Sequence, residues 1–175
     1  MKLIFIRHGQ TDSNLANLIN GLNEEPLNEK GIRQATELME KLDINYDFIM
    51  SSPLLRAKQT AEIINSNNKK ISIDNRIQER DAGSLTLTKV PDDESDWWNY
   101  NPQKDYKEAE SVKKVINRVY DFINEIKDRY HDKEIIVVTH GGVLKCVYTY
   151  FNNIPQNGDL SLINYDNCEI IKYEL

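Results

Sequence analysis

Cysteine is scarce in this 175-residue chain: Cys146 and Cys168 are the two present, and no CxxC spacing occurs. That excludes a zinc quartet or a disulfide framework and points to reduced thiols in a cytoplasmic protein. Long apolar runs are missing as well, with none near the ~20 residues of a membrane-spanning helix. The opening Met1 to Ile6 stretch reaches Arg7 too soon for a signal-peptide core. Positive charge is in deficit, 22 Lys and Arg against 28 Asp and Glu, giving a formal net charge of −6. Nucleic acid and anionic membrane are therefore not expected partners, because both need a positive field. A small basic pocket inside an acidic shell stays open. Internal repeats and low-complexity tracts are absent. With 39% hydrophobic residues the chain is too apolar for disorder. Its length suits one domain, residues 1–175, burying roughly 70% of its unfolded surface.

Short apolar runs predict buried strands at Leu3 to Ile6, Phe48 to Met50, Ile71 to Ile73 and Ile135 to Thr139. Two further runs, Leu160 to Tyr165 and Glu169 to Tyr173, flank Asp166-Asn167 and predict a hairpin. Helical spacing predicts helices from Leu27 to Leu42 with Asn28 as N-cap, from Leu54 to Ile64 after a Ser52-Pro53 cap, from Val112 to Tyr130, and from about Val143 to Tyr150. Strands and helices that alternate in this way imply an α/β domain, helices covering both faces of a mainly parallel sheet. The stretch from Lys89 to Lys107 is rich in Asp, Asn and Pro but holds Trp97, Trp98 and Tyr100, so it reads as a packed excursion. Those aromatics either pin the excursion to the body or stack on an aromatic or sugar group of a substrate.

Ligands of open parallel sheets sit beyond the carboxyl ends of the strands. The first run ends in Arg7-His8-Gly9-Gln10-Thr11, the second in Ser51-Ser52-Pro53 leading to Arg56, the third in Arg76-Ile77-Gln78-Glu79, and the Ile135 run in His140-Gly141-Gly142. Each residue has an ordinary explanation when taken alone. A histidine can be structural, Arg56 a solvated helix residue, and Glu79 an ion-pair partner of Arg76 or Arg80. Arg7, however, ends an apolar strand, where an unpaired cation is costly unless a carboxylate or phosphate meets it. The remaining histidine, His131, sits among charged residues and reads as a solvated turn. If the strands are neighbours, two arginines, two histidines and one glutamate converge. Arginine forks match phosphate oxygens and stay charged. The helix following Ser52 adds donors and a dipole for an anion. A neutral imidazole attacks phosphorus, a carboxyl group protonates the leaving alkoxide, and no divalent cation or other cofactor is required.

These residues stand in longer segments. Arg7-His8-Gly9-Gln10-Thr11-Asp12-Ser13-Asn14 resembles the RHGxTxxN signature of the histidine phosphatase (phosphoglycerate mutase-like) superfamily. Gly21, Pro26-Leu27 and Gly31-Ile32-Arg33-Gln34-Ala35 resemble its next segment, with Glu24 where Asp is usual. Ser51 to Ala61 resembles SSPLxRAxQTA, Glu79 with Gly83 resembles ExxxG, Glu110-Ser111 resembles GES with Ala109 in place of Gly, and Thr139 to Gly142 resembles the second-histidine motif. The resemblance implies a three-layer α/β/α sandwich. It implies His8 as the phosphorylated nucleophile and Glu79 as proton donor, with Asp81 as fallback because the family's second acid is replaced here by Ser84 to Leu87. Arg7, Arg56 and His140 would complete the catalytic pocket, with Asn14 and Gly141 also lining the substrate side. The 85–108 segment matches nothing in the family pattern and is expected to cap the pocket.

The expected activity is hydrolysis of a small phosphorylated metabolite by a phosphoric monoester hydrolase of the histidine acid type. α-Ribazole phosphatases and broad phosphoester phosphatases are both similar. The alternative is cofactor-dependent phosphoglycerate mutase-type transfer, whose enzymes resemble a longer chain. From other classes, a metal hydrolase with His8 and His140 as ligands would have two arginines opposing its metal. A non-catalytic binding module would be expected to have lost the nucleophile or an arginine. A homodimer is compatible with the sequence.

Overall fold

The computed structural model describes residues 1–42, 45–106 and 108–175. In chain order its elements are β1 (Lys2–Arg7), α1 (Asp12–Leu15), α2 (Glu29–Lys41), β2 (Phe48–Ser51), α3 (Leu55–Ile64), β3 (Ile71–Ile73), α4 (Val112–Arg129), β4 (Glu134–Thr139), α5 (Gly141–Asn152) and β5 (Ile170–Glu174). Two 3-10 turns lie at Asn75–Ile77 and Gly83–Leu85. The sheet order is β3-β2-β4-β1-β5. The first four strands pair in parallel, and β5 runs antiparallel to β1 at the edge.

Strand periodicity sorts the side chains into two cores. Leu3, Phe5, Ile135 and Val137 face α4 and α5, meeting Val115, Phe122, Val143 and Val147. Ile4, Ile6, Ile136 and Val138 face the other way, onto Ala57, Ala61 and Ile64 of α3 and Leu38 of α2. Both faces are covered, which is why the central strands read as unbroken apolar runs. The result is the expected three-layer α/β/α sandwich.

The register sets up the site. β1 and β4 pair Arg7 with Thr139, so the chain leaves both strands at the same level, into His8 and His140. β2 pairs Ser51 with Val138, bringing Ser52 to the same edge. After β1 the chain passes to α2 on one face, and after β4 to α5 on the other. This divergence between neighbouring strands opens a crevice at their carboxyl ends.

The structure departs from the sequence reading in two places. There is no terminal hairpin: 160–165 forms turns, and only Ile170–Glu174 is a strand, paired with β1. The run is apolar without being a strand: Leu160 is buried and Ile163 packs against the α4/α5 core, while Leu162 is exposed. The second departure is the start of α3. Its N-cap is Leu54, in extended backbone, and Ser52-Pro53 lies outside the helix. Ser52 Oγ does accept from Leu54 N, but Leu55 N is taken by Glu24 Oε2 at 3.0 Å. The first donors of α3 are thus spent within the protein.

Between the Gly83–Leu85 turn and α4 there is no helix or strand among the described residues; Lys107 lies outside them. Bridges from Lys89 to Leu18 and from Asn99 to Asp159 tether the segment. Trp97 and Trp98 are buried in the α4/α5 core, and Trp97 packs edge-on to Tyr106. Cys146 is buried, Cys168 is half-buried with a left-handed φ of 61°, and His131 is exposed.

Candidate active site

At the carboxyl edge of β1 and β4 lies a cleft of about 340 Å³. Arg7, His8, Asn14, Arg56, Glu79 and Gly141 line it, with His140 directly behind, its ring centroid 5.1 Å from that of His8. Residues separated by most of the chain therefore meet, as the sequence reading expected.

His8 is oriented on both ring nitrogens. Nδ1 lies 2.7 Å from Gly9 O, an acceptor, so Nδ1 carries the proton. Arg56 Nε donates to Nε2 at 3.3 Å. With Nδ1 protonated, Nε2 carries the ring's one in-plane lone pair, and that lone pair accepts from Arg56. Burial, then the charges of Arg56 and Arg7, holds the His8 pKa well below that of a free imidazole. His140 is shifted the same way by burial and then Arg56. Its Nε2 lies 2.6 Å from Ser52 Oγ, and its buried Nδ1 has no partner among the described residues.

Arg56 is fully buried on the first turn of α3. Its two terminal nitrogens donate to Asn23 O and Gly21 O, both at 2.8 Å, so the loop carrying Gly21 holds the guanidinium edge-on to His8. Arg7 donates to Tyr165 O, while its buried Nε has no partner among the described residues. Desolvation lowers the pKa of both arginines, and Glu79 is the largest opposing charge on each. Two cations thus converge on the free face of His8 where a dianion would compensate them. The Thr11-x-x-Asn14 spacing forms a capping box on α1, with Thr11 N donating to Asn14 Oδ1 at 3.2 Å, which fixes the Asn14 amide beside the pocket.

Glu79 follows the Asn75–Ile77 turn and accepts from Arg80 N at 2.8 Å and Gly142 N at 3.2 Å. It does not pair with Arg76, which binds Asp74 and Glu125, nor with the guanidinium of Arg80, which reaches Glu110 O and Trp97 O. Asp81 is turned away onto Gly83 N and does not line the cleft. The first turn of α5 brings the Gly141 backbone against Arg7. Gly142 admits no side chain, because a Cβ would lie 2.3 Å from Glu79 Oε1 and 2.4 Å from Trp98 Cη2.

Several lining residues escaped the sequence reading. Lys145 lies one turn beyond Gly141 on α5, a spacing that could have revealed it. It donates to Leu160 O, Ser161 O, Ile163 O and Asn164 Oδ1, and burial lowers its pKa to about 8. Asn167 donates to His8 O at 2.9 Å. Asn20 donates to Thr11 Oγ1 and Glu25 Oε2, and Glu94 reaches the cleft from the 86–111 segment. No local pattern announces these last three, because they come from segments without regular structure. Among the described residues no group of three His, Cys, Asp or Glu side chains is arranged to hold a metal ion.

Similarity to known proteins agrees with this geometry. The chain is 31% identical over 184 residues to "Phosphoserine phosphatase 1" of Hydrogenobacter thermophilus, covering 100% of this chain and 85% of that one. It is 28% identical over 183 residues to "Probable phosphoglycerate mutase GpmB" of Cronobacter sakazakii, covering 99% and 85%. The solved structure of Bacillus stearothermophilus YhfR superimposes with a TM-score of 0.84 at 28% identity, over 99% of this chain and 91% of that one. The family model "Histidine phosphatase superfamily (branch 1)" matches residues 3–175. A fold with His8 and His140 side by side, and sequence likeness along nearly its whole length, make this chain a member of the histidine phosphatase superfamily, branch 1.

Proposed function

We propose that the protein is a metal-independent phosphomonoesterase of the histidine acid type, acting on a small phosphorylated metabolite through a phosphohistidine. The observation that carries this reading is the state of His8: neutral by burial, protonated on Nδ1, with the Nε2 lone pair facing Arg56. In the first step Arg56 Nε gives up its hydrogen bond to Nε2, and Nε2 bonds to phosphorus as the ester P–O bond breaks. Arg7 and Arg56 compensate the phosphoryl oxygens, and Glu79, in its protonated form, gives the leaving alkoxide its proton. In the second step water attacks phosphorus, the P–N bond breaks, the water proton passes to Glu79, and phosphate leaves. His140, held by Ser52, stands behind the transferring group. Membership of a phosphatase family and likeness to a protein named as a phosphoserine phosphatase support hydrolysis. Likeness to a protein named as a probable mutase keeps one alternative, in which a second hydroxyl takes the phosphoryl group in place of water.

Release of phosphate from an aryl phosphate tests the reading. Turnover should persist in EDTA, fall with vanadate, and vanish in His8→Ala while the fold is retained. Full turnover by His8→Ala, or loss of activity in EDTA, would remove the mechanism. Transfer with a bisphosphoglycerate primer that outpaces hydrolysis would promote the alternative.

A further inference from the structure

The outer half of the cleft, beyond the phosphate contacts, has its own chemistry. Leu18, Ile19, Val90 and Ile163 give it apolar walls, and Asn17 and Asn164 add neutral amides. One carboxylate besides Glu79 reaches it among the described residues, that of Glu94. Trp98 fixes the position of Glu94. The indole Nε1 donates to Glu94 Oε2 at 3.0 Å. The benzo edge of the same ring presses on Gly142, at the spot where a Cβ would also meet Glu79 Oε1. A single rigid indole thus spans the two acids. Glu94 thus lines the same cleft as the group that would protonate the ester oxygen, on the far side of the indole from it.

Most donors of the cations around this outer space already have protein partners. Lys145 directs its protons at three backbone carbonyls and the Asn164 amide oxygen. Its charge, with the ammonium 5.5 Å from the Trp98 ring centroid, offsets part of the Glu94 field but offers no hydrogen to a ligand. Arg80 lies flat on Trp97, 3.6 Å from its centroid, with two nitrogens on Glu110 O and Trp97 O. Arg7 and Arg56 face the phosphate position.

We infer that Glu94 is a specificity-determining residue, selecting phosphomonoesters of small alcohols that bear an ammonium or no charge and disfavouring those that bear a carboxylate. The inference rests on the phosphomonoesterase reading and adds to it the class of leaving group. The discrimination comes from like-charge repulsion of the wrong substrate as much as from attraction of the right one.

The test compares kcat/KM for aminoethyl, hydroxyethyl and carboxymethyl phosphate in the native protein and in Glu94→Gln, with an aryl phosphate as reference. Glutamine can still accept from Trp98 Nε1. The aminoethyl ester should be favoured over the carboxymethyl ester by about tenfold or more in the native protein, and by less than about threefold in Glu94→Gln. Glu94→Lys should reverse the order. Comparing ratios between proteins cancels the intrinsic reactivity of the esters and any general loss of activity. A native preference for the carboxymethyl ester, or a ratio unmoved in both variants, overturns the inference while leaving the phosphatase reading intact. A native protein inactive on the aryl phosphate as well brings down both.

Discussion

Replacing Arg56 by methionine separates the electrostatic from the structural part of the site. The side chain is fully buried and makes two hydrogen bonds of 2.8 Å to backbone carbonyls and one of 3.3 Å to His8. Its loss leaves the Gly21 and Asn23 carbonyls short of a partner, at about 1–3 kcal/mol each. Against that stands the relief of a buried guanidinium, whose desolvation costs several kcal/mol. The two nearly cancel, so the unfolding free energy should shift by less than about 2 kcal/mol. The rate has no such offset. Removing a preorganised donor from the transferring phosphoryl group should cost about 10²–10³ in kcat, or about 3–4 kcal/mol. A second readout concerns His8, the proposed nucleophile. After burial, Arg56 is the largest influence holding the His8 pKa down, so the variant's His8 should titrate at higher pH, closer to 6.5. Below that pH a protonated Nε2 has no lone pair, and the acid limb of activity should move upward. NMR titration of isotope-labelled histidine reads the imidazole directly, free of the ionisation of the substrate phosphate. Arg56→Lys keeps the charge and should leave His8 low while restoring part of the rate. A methionine variant whose His8 titrates at or below the native value would refute the reasoning.

Two further outcomes can be measured. Gly142→Ala should push Glu79 and Trp98 apart, because its Cβ has no room beside either; alkyl phosphates, which need a proton donor, should then slow by about tenfold or more relative to aryl phosphates. Activity ratios that stay constant would detach Glu79 from leaving-group protonation. The two buried histidines should also make the fold acid-sensitive. Their folded pKa values lie below the unfolded value near 6.5, so the unfolded chain binds more protons, and the stability they confer is present above that pH and lost as pH falls below it. Between pH 7 and 5.5 the loss should be about 1 kcal/mol for each histidine, by denaturant titration. His140→Asn should lose correspondingly less over that interval, and an equal loss would contradict the assignment.

Much of the site was readable because it is built on regular elements. His8 and His140 follow buried strands, and parallel pairing in register is enough to bring them together. Thr11 and Asn14 obey a capping rule that works at the level of four residues. Reading failed where a side chain's role depends on a distant, irregular segment. The cap of α3 is an example: Ser52-Pro53 has the local chemistry of a helix start, yet Glu24, from another loop, takes Leu55 N, and Ser52 turns to His140. The expected hairpin failed for a related reason. An apolar run need not be a strand: Leu160 and Ile163 pack inward, their carbonyls accept from Lys145, and Leu162 faces solvent, all without strand pairing. Glu94 and Asn167 carry no periodic signal, and tertiary packing alone delivers them to the cleft.

The ladder between β1 and β4 sets a hierarchy of durability. Both imidazoles follow the paired central strands β1 and β4, backbone whose amide protons should exchange last. Glu94 hangs from a stretch without strand or helix, tethered by isolated bridges, where partial opening should cost less. Warming should therefore erode discrimination between substrates well before it silences phosphate release, leaving a hot enzyme that is less choosy but still alive.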